Sequence, residues 1–341
     1  MNYDALERDL EHLKEDTLSK VGEKDARYIR RIEKLCRFAT VSGRVLLMLS
    51  WFPPCWLLGT LLLALGKILE NMELGHNIMH GQYNFMNDPR FNGLRYEWDI
   101  AGSANNWRQT HNYSHHTYTN VQSKDHDIGY SVLRLFKEQK WHPTQLFQTL
   151  YTVPFALLFQ WGVAIQNLRI GRLFLGRISL LQLYREQRPA FSKVGQQLLK
   201  DYVFFPLIAG PMFLHVLLGN FVANIIRNVW TFSIIFCGHF TKNVKLFDKS
   251  ILKNESKGQW YYRQILGSSN IQGNRWFHIL SGNLSHQIEH HLFPDMPSYR
   301  YPMIAPKVRA ICEKHGIYYN TGGFIKQFSQ VLGRIVRYSF P

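Results

Sequence analysis

The sequence predicts an all-α integral membrane protein: about four transmembrane helices in two hairpins, with a cytoplasmic helical cap that carries three clusters of histidines. Three observations predict it. The apolar residues of the 341-residue chain are bunched into long uncharged runs, unlike the even spread of a soluble core. Mean hydropathy is nonetheless slightly negative, which fits a few spanning helices joined to a large aqueous part. Eight of the fifteen histidines fall into three tight groups, His76-x3-His80, His111-x3-His115-His116 and His286-x3-His290-His291, and the four-residue spacing stacks their side chains on one helix face.

In chain order, residues 1–37 are rich in Glu, Asp, Lys and Arg with scattered leucines, and read as a solvated cytoplasmic helix. The excess of Lys and Arg from Lys24 to Arg37 places that end inside, and with it both termini and the histidine clusters of a multi-pass protein. Residues 38–341 form one domain. Val45 to Gly66 carries no charge, and Pro53-Pro54 divides it into spans of about 38–52 and 55–75. A single kinked span is the competing reading. Arg44 must snorkel or find a partner. The Gly- and Asn-rich stretch from Gly81 to Trp141 is too polar for lipid and holds the second cluster.

A second pair of spans, about 202–218 and 221–239, fits the apolar stretch from Tyr202 to Phe240, turning near Gly219-Asn220. Parity then settles residues 141–168. Clusters one and two precede this run and cluster three follows it, so if all meet at one site the intervening crossings are even in number, and 141–168 lies in the interface without crossing. Arg169 to Lys200 is a basic connector suited to phosphate head groups, or equally a positive-inside loop. The formal net charge of +16 comes with no zinc-finger, helix-turn-helix or aromatic RNA-binding signature. Anionic membrane lipid or an acidic protein is the expected partner, not nucleic acid. The four cysteines form no CxxC and read as reduced.

The wording of the clusters carries a resemblance. Gly75-His76-Asn77-Ile78-Met79-His80-Gly81 and Gln287-Ile288-Glu289-His290-His291-Leu292-Phe293-Pro294 look like the boxes of the membrane fatty acid desaturases, in the bacterial acyl-lipid or acyl-CoA branch. The resemblance runs from about Val45 to Gly323. It implies four spans, a cytoplasmic cap holding two iron ions, and an apolar tunnel for one acyl chain. Carried over residue by residue, it makes His76, His80, His111, His115, His116, His290 and His291 ligands, with His239 as a further one. Ile235 stands where some members have an asparagine four residues before that last histidine.

The residues themselves support such a centre. Imidazole suits iron, copper, nickel or zinc. Eight ligands exceed one tetrahedral zinc, whereas two irons with about four each would use them all. Glu73-x-x-His76 occurs once, so the paired motif of the carboxylate diiron bundles is missing, and Glu73 is expected to accept an imidazole N–H. His126, between Asp125 and Asp127, is a candidate to orient a ligand. Trp107, Tyr113, Tyr118 and Trp276 are candidates to line the tunnel, against plain packing. An unactivated methylene has no useful acidity, so its hydrogen needs a metal-borne oxidant fed by O2 and two electrons. The chain has no dinucleotide fingerprint, iron–sulfur spacing or haem module, and His142-Pro143 is followed by Thr144. A separate ferredoxin, rubredoxin or cytochrome-b5-type donor is implied, and a fatty acyl substrate, acyl-CoA ahead of a lipid-linked chain. A hydroxylase would share the first step. A zinc hydrolase or a metal-binding transporter is the reading from a different class.

His286 and Gln287 compete in the third cluster. With His286 at 0° on a wheel, Gln287 falls at about 100°, His290 at about 40° and His291 at about 140°. Gln287 lies near the bisector of the pair, but the wheel does not exclude His286. The resemblance tilts the choice to Gln287, because Gln-x-x-His-His is a form of this box in part of the family.

Overall fold

The computed structural model describes residues 1–168 and 170–341. Arg169, the first residue of the basic connector, lies outside them. The fold is mostly helical, with a single pair of short parallel strands, β1 (Asn270–Gln272) and β2 (Thr321–Gly323), among the described residues.

α1 (Tyr3–Leu18) starts at an Asn2 cap. It is not the solvated helix expected. Leu6, Leu10 and Leu13 recur at helical spacing and are buried with Tyr261, Ile265, Phe293 and Val308 of the C-terminal part. α2 (Glu23–Met48) then runs without a break through the 37/38 boundary that charge composition suggested. The chain turns over residues 49–52 and Pro53-Pro54 open α3 (Pro53–Met79), where a first-turn proline forfeits no hydrogen bond. Two separate helices joined by this turn form here, in place of one kinked helix. Close approach holds them together: a Cβ on Gly43 would sit 2.6 Å from Leu63 N, and one on Gly59 2.9 Å from Leu47 N.

The second hairpin corrects the expected turn. Its descending limb, residues 188–208, comprises Arg188–Leu199 (α-helix), a π-helical turn Lys200–Phe204 and Phe205–Ile208. The chain reverses at Gly210-Pro211, with Gly210 at φ +55°, and returns as one unbroken helix, Phe213–His239. Gly219 and Asn220 lie inside that helix because both make helix contacts. Gly219 faces Leu47 and Thr60 without room for a Cβ, and the Asn220 amide donates to the Asp201 carbonyl and accepts from Arg44. Arg44 is thereby paired, its guanidinium also 2.5 Å from the Asp201 carboxylate and stacked on Phe205. Among the described residues, Pro53–Met79 and Gly210–His239 are long and apolar enough to cross a membrane.

The second and third clusters lie outside these two hairpins. The second cluster lies on residues 104–118, whose first turn Ser103 caps. Residues 141–168 form a broken pair, Gln148–Leu157 and Phe159–Asn167, with Phe159 wedged against Tyr130, Phe232 and Phe236. The third cluster occupies a short helix, Gln287–Leu292, reached through Gly282 at φ +70° and Asn283 at φ +56°. A Cβ on Gly282 would meet Met72 O at 2.4 Å, so only glycine lets this turn close on the first cluster's helix.

Candidate metal centre

Two of the three clusters sit on π-helical turns, Glu70–His76 and Arg108–His115. The extra residue in such a turn re-aims side chains, and here it brings His76 and His80 toward His111, His115 and His116. His239 arrives from the end of the last long helix. Gly238 allows the third cluster to close on it, since a Cβ there would meet the Gln287 side chain at 3.0 Å.

The imidazoles gather into two adjoining nests. Ring nitrogens of His76, His80, His111 and His290 lie within 4.8 Å of one another, and so do those of His115, His239 and His291. His116 stands between the nests, stacked on His291 with ring centres 4.4 Å apart and 4.6 Å from the His80 ring. The outer nitrogens are pinned to the protein. Nδ1–H of His111 donates to Asp127, of His115 to Asp125, of His239 to the Gly267 carbonyl, of His290 to Tyr301 Oη and of His291 to Gln264 Oε1. That arrangement leaves each Nε2 lone pair facing inward.

Two inward contacts fit a shared ion. Nε2 of His76 and His290 are 3.2 Å apart, and Nε2 of His239 and His291 are also 3.2 Å apart. Two nitrogens about 2.0–2.1 Å from one ion and about 100° apart have that separation. Buried nitrogens without a protein partner remain at His80 Nε2, His111 Nε2 and both positions of His116. Burial, and then the neighbouring imidazoles, push His111, His116, His290 and His291 well below the usual histidine range, so their lone pairs are free of protons. His115 is the exception. Burial opposes its charge, but the Asp125 carboxylate outweighs burial and raises it.

The structure places the other candidates plainly. Gln287 touches the nest, its amide 2.9 Å from His239 Nε2, and its Oε1 is buried without a partner. His286 turns away, its ring tilted against that of His278 with centres 4.6 Å apart, in a separate surface pocket. Glu73 meets no imidazole; its carboxylate accepts from Tyr28, Asn283 and Ser298 and ties the first cluster's helix to the cap. Asp125 orients a histidine, as does Asp127, while His126 between them is exposed. Sequence reasoning missed Gln264 and Tyr301, which lie far along the chain from the rings they hold and in no motif. Trp107 stacks on His111 at 4.4 Å and lines the cavity, but Tyr113 and Trp276 are exposed.

One cavity adjoins both nests. His76, His111, His115, His239 and Gln287 form one side, and Met72, Tyr130, Phe159, Val163 and Ile235 an apolar stretch. The fold and the site together define a helical protein whose clustered histidines offer a metal site beside a cavity with one apolar wall. The fatty acid desaturase family model matches residues 50–323, and the chain belongs to that family as an enzyme, a fatty acyl desaturase. It is 43% identical to the NADPH-dependent stearoyl-CoA 9-desaturase of Mycobacterium tuberculosis over 99% of this chain and 78% of the relative. It is 28% identical to the sn-1 linoleoyl-lipid 6-desaturase of Synechocystis over 78% of this chain and 75% of that one, and 25% identical to fatty acid desaturase 3 of Bos taurus over 88% and 67%.

Proposed function

We propose that this desaturase is an oxygen-dependent diiron enzyme that inserts a double bond into a fatty acyl chain carried as acyl-CoA, with electrons from a separate donor. The observation that carries the reading is the pair of imidazole nests with pinned outer nitrogens and inward lone pairs beside an apolar cavity. His76, His80, His111 and His290 would hold one ion, and His115, His239 and His291 the other, with His116 between them and Gln287 against His239 acting directly or through water. The bound irons supply the O2-derived oxidizing power that a methylene C–H demands. The chain's own residues do the rest: Asp125, Asp127, Gln264 and Tyr301 fix ring orientation, the apolar wall excludes water, and Trp107 closes the space over His111. The NADPH dependence in the mycobacterial relative's name agrees with a reductase-fed donor.

We also propose four spans with the clusters and both termini cytoplasmic, and residues 141–168 in the interface. The descending limb supports this by its inverted amphipathicity. Leu198, Leu199, Val203, Phe204, Leu207 and Ile208 are exposed while Gln197 and Asp201 are buried, which suits lipid and not water as the surrounding medium. Purified full-length protein should carry about two irons, and its expression in a host lacking the activity should yield oxygen-dependent monounsaturated acyl chains. One zinc per chain, or a hydroxylated product, would overturn the reading.

A further inference from the structure

The far end of the cavity is not apolar. Along the last long helix, Arg227, Thr231, Ile235 and His239 recur every four residues and all line the cavity, so they form one face that leads from the metal centre inward. A rise of 1.5 Å per residue puts Arg227 about 18 Å from His239 along the axis. Asn228 and Gln160 line the cavity beside it.

Arg227 is 1% exposed, and its charge is poorly answered. One Nη donates to Asn224 Oδ1 at 3.2 Å, while Nε has no partner, and neither has Thr231 Oγ1. The nearest buried carboxylate, Asp201, is already engaged by Arg44 at 2.5 Å, Lys67 at 2.6 Å and Asn224 at 3.0 Å. A buried guanidinium with a free N–H needs an acceptor, and a polar niche of this kind holds ordered water. A methyl group arriving there would displace that acceptor and offer nothing in return.

We propose that Arg227, with Asn228 and Thr231 beside it, is a polar stop that sets how many carbons of the acyl chain extend past the metal centre. The proposal rests on reading the cavity as the acyl tunnel. The helix rise between His239 and Arg227 bounds how far an acyl chain runs past the metal centre before it meets the guanidinium. Polarity, and not only bulk, ends it. A chain two carbons too long should therefore lose about tenfold in binding, the consequence of stripping one charged donor of its partner.

The test uses the purified full-length enzyme and saturated acyl-CoA thioesters of 14 to 22 carbons, with two readouts: the rise in melting temperature on binding, and the products formed. Wild type should show a sharp upper limit in both. Arg227→Met should move that limit up by two carbons or more in both readouts while the double bond stays at the same distance from the thioester, and Arg227→Lys should restore it. An unchanged limit in a folded, iron-loaded Arg227→Met protein overturns the proposal. Should that variant not fold, Thr231→Phe decides: it should shorten the preferred chain, and an unaltered profile rejects the stop. If wild type binds the thioesters with a sharp limit yet forms no unsaturated product, the reading of the reaction fails and the stop stands. If it binds none of them, the tunnel reading fails and the stop with it.

Discussion

At the scale of single residues, the contest between His286 and Gln287 is the sharpest case. A helical wheel left both open, and the geometry puts the Gln287 amide 2.9 Å from His239 Nε2 while His286 packs against His278 in another pocket. Gln287→Ala should therefore lose most activity and His286→Ala keep most of it, measured as unsaturated product per enzyme in membranes. Full activity in Gln287→Ala would remove that residue from the centre. His116→Ala and His290→Ala should abolish turnover while the protein still inserts. Asp125→Asn tests orientation: it keeps shape but weakens the acceptor that pins His115 Nδ1–H, so iron affinity or turnover should fall by about 10–100-fold. Wild-type iron content together with wild-type turnover would show that His115 needs no such support.

At the scale of elements, buried charge between the helices fastens the two hairpins. Asp201, on the π-helical turn, accepts from Arg44 of the first helix and Lys67 of the second and is flanked by Asn220 and Asn224 of the fourth. Removing it leaves two buried cations without a counter-charge. Asp201→Ala should destabilise the folded protein by about 3–5 kcal/mol, seen as a lowered melting temperature in detergent. A shift near zero would mean that water or lipid already answers those charges. The turn position is testable separately. A cysteine at Met212 should react with a membrane-impermeant maleimide, and one at Leu218 should not; the opposite pattern would return the turn to Gly219-Asn220.

At the scale of the whole molecule, the candidate ligands come from four separate segments: the end of Pro53–Met79, residues 111–116, the end of Phe213–His239 and the helix Gln287–Leu292. A metal bound there would fasten these segments together, and binding to the folded state alone raises stability. Stripping iron with a chelator should lower the melting temperature by several degrees, and restoring iron should recover it. A melting curve indifferent to chelation would place the metal outside this cluster.

The clustering of the histidines was legible in the sequence alone. Histidines at four-residue spacing lie on one helix face whatever surrounds them, and an uncharged run divided by Pro53-Pro54 must break or kink there, so the clusters and the first helical hairpin were legible from local rules. The second hairpin was only half legible. Its descending limb carries Lys193, Lys200 and Asp201, and composition reads such a helix as aqueous; only the pairing of Lys193 with Glu97, of Lys200 with Asp99 and of Asp201 with Lys67 and Arg44 turns its polar face inward. The same holds for the turn, which moved from Gly219-Asn220 to Gly210-Pro211 because both former residues are consumed by helix contacts. Gln264, Tyr301 and Gly267 could not be found by any spacing, since a hydrogen bond to a ligand's outer nitrogen needs a neighbour in space and not in sequence. Which of two adjacent residues stands against His239, and which residues close the far side of the cavity, were set by tertiary structure for that reason: both depend on what stands opposite a helix face.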